Sequence, residues 1–323
     1  MIVEYALNDY LASSMTIFYD PSCLEYSRPG HPERPQRIAR TAPLLRDRHP
    51  GWEWRKPSPV TDAQLLRAHS GDYLKHLATA HEDFDVDTPF YPNIGVCARQ
   101  SAGAAVGVAH SALGGEPAFS LMRPPGHHAM RDRAMGFCYL SNIAIAALEI
   151  LAVAEVADAG RQGSSPPATT SVERIAIWDF DGHHGNGTEA IVANNEQIRF
   201  ASIHQFPAYP GTGSRSFANI DNYPVAPLTP RDALMKIAER ALEKLVAFRP
   251  HLLLVSAGFD AYARDPLLQL TLETEDFAQF GEWLRELEIP VAVLLEGGYS
   301  DDLPELIDAF LSAWSQAAKL PSR

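Results

Sequence analysis

At 323 residues the chain is long enough for one large α/β domain or two ordinary ones, and its 46 % hydrophobic and 21 % charged content is that of a folded globular protein. A formal net charge of −13 argues against the basic face that direct nucleic-acid binding needs, and is compatible with a cationic partner such as a lysine-rich peptide or a polyamine. Cys23, Cys97 and Cys138 are odd in number and widely separated, so neither a disulfide framework nor a CxxC site is expected, and a cytoplasmic location is.

Residues 1–14, MIVEYALNDYLASS, carry Glu4 and Asp9 and no basic start, so no secretory signal is expected. They read as a poorly ordered extension or an over-long start, with the domain spanning 15–323. TIFYDPS, directly after Met15, reads as a first strand. Thr61 and Gln64 are spaced as a capping box and open a helix; another covers roughly 96–113 and stops at Gly114-Gly115. AFSLMRPPGHH (118–128) is an apolar strand that ends in His127 and His128. Ser141 or Asn142 caps an apolar helix over 143–156, too short for a bilayer and interrupted by Glu149 and Glu155; no membrane attachment is expected. Residues 161–171, RQGSSPPATTS, read as the most disorder-prone internal loop.

IAIWDFDGHHGNG (175–187) is the most informative stretch: an apolar run, as in a strand buried on both faces, ends in Asp179, Asp181, His183 and His184. Asp232 caps an amphipathic helix running to Phe248. HLLLVSAGFD (251–260) is another apolar strand, ending at Asp260. A helix over 273–287 follows, then the strand IPVAVLLEGGY (289–299), ending in Tyr299, and a helix over 303–314. No linker and no internal repeat divides the chain, so one domain is expected.

Strands alternating with helices predict a parallel α/β sheet, and such sheets bind ligands outside the carboxyl ends of their strands. That placement gathers Asp181, His183, Asp260, His127, His128 and Tyr299, each a residue type that a hydrolytic zinc site uses. An aspartate after a strand can also be a helix N-cap, which accounts for one carboxylate but not for two carboxylates and two imidazoles within residues 179–184. A His pair alone could be a turn, and a Tyr after Gly-Gly ordinary packing; four strands that all end in chemistry weigh against both.

These motifs resemble the zinc-dependent histone deacetylase family, and among its members the class II-like bacterial deacetylases and acetylpolyamine amidohydrolases. The resemblance runs from HPERPQR (31–37) through RPPGHH (123–128), GFCYLSN (136–142), DFDGHHGNGT (179–188), PGTG (210–213) and AGFD (257–260) to EGGY (296–299). It implies the arginase–deacetylase fold: one α/β domain with a central, mostly parallel sheet and helices on both faces. Arginases share the fold but need paired DxHxD-type carboxylates for two manganese ions, which are absent here.

Carried over residue by residue, the resemblance makes Asp181, His183 and Asp260 the ligands of one zinc per chain. It makes His127 and His128 the general acid–base pair, with His127 held by Asp179, and Tyr299 the hydroxyl that meets the oxyanion. Gly136, Phe137 and Tyr209 match the walls of an acyl-lysine tunnel. Asp87 matches a rim residue that grips the substrate backbone, with Asp85 as the alternative. A structural potassium is implied at Asp179, Asp181, His183, Ser202 and Ile203. Asn186 stands where one subgroup has Asp, removing a charge that would raise the pKa of His128. Leu267 stands where some polyamine-selective relatives carry a Glu, although NYPVAP (222–227) and DPLLQLTL (265–272) are similar to bacterial polyamine enzymes. The implied activity is removal of acetyl or another short acyl group from lysine in a peptide or protein. An acetylated polyamine is the alternative substrate, and an inactive acyl-lysine binder the alternative of another class. His31, His69, His184 and His204 read as structural.

Overall fold

The computed structural model describes residues 15–159 and 172–316; the extension expected over 1–14 and the loop expected over 161–171 lie outside them. Eight strands form one sheet: β1 Thr16–Phe18, β2 Glu53–Arg55, β3 Ala118–Ser120, β4 Ile175–Asp179, β5 Ile198–Gln205, β6 Ile220–Val225, β7 Leu252–Ala257 and β8 Val291–Leu295. Their order is β2-β1-β3-β8-β7-β4-β5-β6, and every neighbouring pair is parallel. The expected α/β sheet is therefore present and, among the described residues, wholly parallel.

The apolar runs explain the centre of the sheet. Every residue of β3, β4, β7 and β8 is buried, which requires cover on both faces. The helices Ile94–Leu113 and Asn142–Ala159 pack on each other and on β7, and the first also packs on β1, β3 and β8. The helix Arg231–Ala247 packs on β4, β5 and β6. Trp178 and Phe180 of the β4 run meet Phe277 and Phe280 of the helix Thr274–Arg285, with ring centroids 5.0–6.5 Å apart. Each such buried aromatic contributes roughly 2–3 kcal/mol by leaving water. Among the described residues no helix is long and apolar enough to cross a membrane.

Local signals held at some helix starts and failed at others. Thr61 and Gln64 close the expected capping box, each side chain accepting the other's backbone N–H. Asp232 is not a cap: Pro230 holds that position, and Asp232 lies in the first turn, where its charge complements the helix dipole. Neither Ser141 nor Asn142 caps the helix Asn142–Ala159, since neither side-chain oxygen has a hydrogen-bond partner. The Asn142 amide instead donates to Ser101 Oγ and to the Pro124 carbonyl, both at 3.1 Å, and the Ser141 N–H donates to His69 Nε2 at 3.0 Å. Tertiary partners have replaced the local cap.

Candidate active site

The four central strands β3, β8, β7 and β4 lie side by side, and the loops at their carboxyl ends meet. Just past β4 the chain folds over its own carboxylates. Asp179 Oδ1 accepts the Asp181 N–H at 3.2 Å, and Asp181 Oδ1 accepts the His183 N–H at 2.9 Å. The neighbouring loops close the ring, Asp260 Oδ1 accepting the Gly182 N–H at 2.6 Å and Asp181 Oδ2 the Gly297 N–H at 2.7 Å. The Asp181 and Asp260 carboxylates and the His183 ring converge. His183 Nδ1 lies 2.7 Å from Asp260 Oδ2 and 3.4 Å from Asp181 Oδ1, and one ligand atom from each residue falls within 4.8 Å of the others.

Two wholly buried carboxylates beside one imidazole form a donor set that a divalent cation would neutralise. The electrostatics agree. Burial and the neighbouring Asp181 both raise the pKa of Asp260, while burial of Asp181 is outweighed by His127 and His183, which lower it. His183 is pushed up to about 10: burial opposes its charged form, but Asp260 and Asp181 favour it more. The backbone leaves no slack, for a Cβ on Gly258 would stand 2.0 Å from Asp181 Oδ2, and one on Gly297 2.5 Å from both ligand carboxylates. These residues fit a small metal ion.

The His pair follows β3. His127 Nδ1 lies 3.1 Å from Asp179 Oδ2; burial disfavours its cation, but Asp181 and Asp179 carry its pKa up to about 10. His128 behaves oppositely. Burial, then the His127 and His183 charges, hold it well below the ordinary imidazole range. Its Nδ1 lies 2.7 Å from Asn186 Oδ1, and the Asn186 amide nitrogen faces Met130 Sδ and Met135 Sδ at 3.2 and 3.4 Å. With the amide group turned to sulfur, the oxygen must accept, so His128 carries its proton on Nδ1 and leaves Nε2 as a base.

A cavity of about 220 Å³ opens on this centre. It is lined by His128, His183 and Tyr299 and by all five residues matched to the substrate tunnel: Gly136, Phe137, Tyr209, Asp87 and Leu267. Asp87, not Asp85, reaches it, and Asp87 Oδ1 accepts the Gly136 N–H at 3.2 Å. Gly136 is obligatory here, with φ of +57° and space for a Cβ only 2.5 Å from the His128 ring. Phe137 also takes a positive φ, +67°, a strained conformation that sets its ring edge-on to Tyr299 at 5.7 Å. Tyr209 stands edge-on to His128 at 5.2 Å.

Other predicted site residues lie off the cavity. Asp179 and Asn186 stand behind the His pair, while Ser202, the register partner of Asp179 in β5, and Ile203 are buried in the sheet. His184, His69 and His204 are buried and satisfied by Thr212 and Glu189, by Met130 and Ser141, and by Ser202 and Gly213 respectively. His31 packs edge-on against Phe137.

Sequence reasoning missed three acids. Glu296 is fully buried; its Oε2 accepts the Gly126 and His127 N–H groups at 2.6 and 3.2 Å, and burial pushes its pKa up to about 7. Glu33 pairs with the equally buried Arg123 and with Arg37, which lies 4.7 Å from the Tyr299 ring centroid and donates to the Gly298 carbonyl at 2.7 Å. Asp265 accepts the Tyr299 N–H at 2.7 Å. Glu296 and Glu33 did lie inside the motifs EGGY and HPERPQR; only their burial shows what they do.

Comparison with known proteins agrees with this arrangement. Residues 31–314 match the family model described as the histone deacetylase domain. The chain is 36 % identical over 296 residues to the histone deacetylase-like amidohydrolase of Pseudomonas aeruginosa, covering 84 % of this chain and 73 % of that protein. It is 32 % identical over 269 residues to acetylpolyamine amidohydrolase 1 of the same organism, covering 80 % and 69 %. The crystal structure of acetylpolyamine aminohydrolase from Burkholderia pseudomallei superposes with a TM-score of 0.80 at 26 % identity, covering 93 % of this chain and 98 % of that one. With a match from the His31 loop to the last described helix and the same architecture beneath it, the chain belongs to the histone deacetylase family of deacetylases and amidohydrolases.

Proposed function

We propose that the chain is a zinc-dependent amidohydrolase that removes acetyl or other short acyl groups from lysine side chains. The carrying observation is that His128, His183 and Tyr299 line one cavity, with Asp181 and Asp260 grouped with His183, and His127 packed on His128, behind it. When bound by Asp181, His183 and Asp260, zinc would supply Lewis acidity, polarising the substrate carbonyl and acidifying the attacking water.

The chain's own groups account for the rest. Phe137 and Tyr209 wall a narrow passage that suits the four methylenes of lysine, and Asp87 at its mouth can accept backbone N–H groups of a peptide. His128, neutral and with Nε2 free, takes the proton of the attacking water and returns it to the lysine amine as the C–N bond breaks. His127, kept cationic by Asp179 and Asp181, acts by its charge. The Tyr299 hydroxyl donates to the carbonyl oxygen as it becomes anionic. A structural potassium ion is proposed beside this site at Asp179, Asp181, His183, Ser202 and Ile203: the Asp179 carboxylate is wholly buried, and a cation would offset that cost. A cytoplasmic location is also proposed.

The second reading, hydrolysis of an N-acetylated polyamine, rests on the acetylpolyamine amidohydrolases among the relatives. The neutral Leu267 on the cavity rim offers no carboxylate to a polyamine's distal ammonium and favours the lysine reading. The experiment compares an acetyl-lysine peptide with acetylputrescine, for the wild type and for Tyr299→Phe. We expect the peptide to be preferred, and Tyr299→Phe to keep its zinc while turnover falls ~100-fold or more. Unchanged turnover in Tyr299→Phe removes the tyrosine from the mechanism. Absence of hydrolysis by zinc-loaded protein leaves an acyl-lysine binder.

A further inference from the structure

Two loops supply one side of the cavity. The loop after β7 carries Asp260 and Leu267, and the loop after β8 carries Tyr299. Two ties join them. The outer one runs from the Tyr262 hydroxyl and the Arg264 Nε to the Asp302 carboxylate at 3.0 and 3.4 Å; Arg264 and Asp302 are both more than half exposed, so that ion pair is screened by solvent. The inner one is Asp265, only 6 % exposed. Its Oδ1 accepts the Leu267 N–H at 2.9 Å and its Oδ2 accepts the Tyr299 N–H at 2.7 Å. The Tyr299 ring is also held from outside its loop, edge-on by Phe137 and against the Arg37 guanidinium, so its hydroxyl is aimed by three contacts. Asp265 holds the Tyr299 N–H directly, while Arg37 Nε donates to the Gly298 carbonyl of the same peptide unit at 2.7 Å.

We propose that Asp265 is a positioning residue, holding the Tyr299 backbone so that the phenol hydroxyl stands where the substrate's carbonyl oxygen gains charge, and tying that position to the tunnel wall at Leu267. This rests on Tyr299 acting as the oxyanion donor. Asp265→Asn is nearly isosteric but turns one acceptor oxygen into an amide nitrogen that faces an N–H donor, so one of the two bonds is lost. A displacement near 1 Å at a reacting group can cost ~100-fold in rate.

The test measures kcat, KM and bound zinc for wild type, Asp265→Asn, Tyr299→Phe and the double variant on an acetyl-lysine peptide. Asp265→Asn should keep its zinc and lose ~10- to 100-fold in kcat with KM within ~3-fold. In the Tyr299→Phe background the same substitution should cost less than ~3-fold, because the hydroxyl it positions is gone. Asp302→Ala, which cuts only the outer tie, should leave kcat within ~2-fold. Should Asp265→Asn not fold, Asp265→Glu, which keeps the charge but overreaches by one methylene, carries the same comparison. Equal losses with and without the Tyr299 hydroxyl, loss in step with zinc, or wild-type kcat in Asp265→Asn would each overturn the proposal. If Tyr299→Phe itself turns over normally, the oxyanion assignment fails first and this proposal fails with it.

Discussion

Gly258→Ala tests the metal centre through one methyl group. Gly258 lies between β7 and Asp260 and does not use a left-handed backbone conformation, so alanine brings no backbone strain. Its Cβ would stand 2.0 Å from Asp181 Oδ2 and 2.3 Å from Asp181 Cγ, whereas real Cβ contacts do not fall below 3.0 Å. The carboxylate must therefore withdraw by at least about 1 Å, although zinc–ligand distances tolerate only about 0.2 Å. It has nowhere to go, since Asp181 is wholly buried and the Gly297 N–H already holds the same oxygen at 2.7 Å. We expect zinc affinity to fall at least ~100-fold and turnover to fall with zinc content, against an overpacking cost of about 1–3 kcal/mol in stability. Elemental analysis after gel filtration reads the zinc, a coupled amine assay the turnover, and urea unfolding the fold. Gly51→Ala, with nothing within 4 Å of its Cβ, is the control. One zinc per chain and wild-type turnover in Gly258→Ala would refute the assignment of Asp181 as a ligand.

Asn186→Asp places a carboxylate against His128 Nδ1, 2.7 Å away, and should move the low-pH limb of the kcat/KM profile upward by about one unit; an unmoved limb detaches His128 from that ionisation. Burial lowers His69 to about 4, while unfolded histidine titrates near 6.5, so its stabilisation is complete above pH 6.5 and is lost as pH falls from there towards 4, by at most about 3 kcal/mol. Urea unfolding at pH 7 and pH 4.5 should show a smaller drop for His69→Gln than for the wild type, and equal drops would contradict it. Glu33→Ala leaves the buried Arg123 and Arg37 without their carboxylate and should cost about 3–5 kcal/mol in urea unfolding; less than 1 would mean the network is not what holds the β8 loop.

Much of this site was legible because fully buried strands must be apolar throughout, so polar residues stand out where such strands end. Ile175–Asp179, Leu252–Ala257 and Val291–Leu295 each announce their own carboxyl end. The strands that escaped lack that contrast. β2 is three residues with no fully buried position, β5 mixes Arg199, His204 and Gln205 into its run, and β6 is an edge strand that tolerates Pro224. Supporting residues were harder still. Glu33 and Arg123 are 90 positions apart, and Asp265 meets Tyr299 34 positions away; a charged residue in a loop reads as solvated until the fold buries it. Asp232 shows the converse, a strong local cap signal displaced by two residues because Pro230 takes the cap and the helix already begins at Arg231.

Zinc binding by the Asp181–His183–Asp260 cluster and hydrolysis of an acyl-lysine amide in the cavity beside it are proposed together. The most direct measurement is release of acetate from an acetyl-lysine peptide by the full chain, alongside acetylputrescine, with zinc-loaded protein, chelator-stripped protein and stripped protein resupplied with zinc. We expect preferential cleavage of the peptide, abolished by stripping and restored by one equivalent of zinc. Peptide cleavage that survives complete removal of metal, or none by protein carrying one zinc per chain, would contradict it.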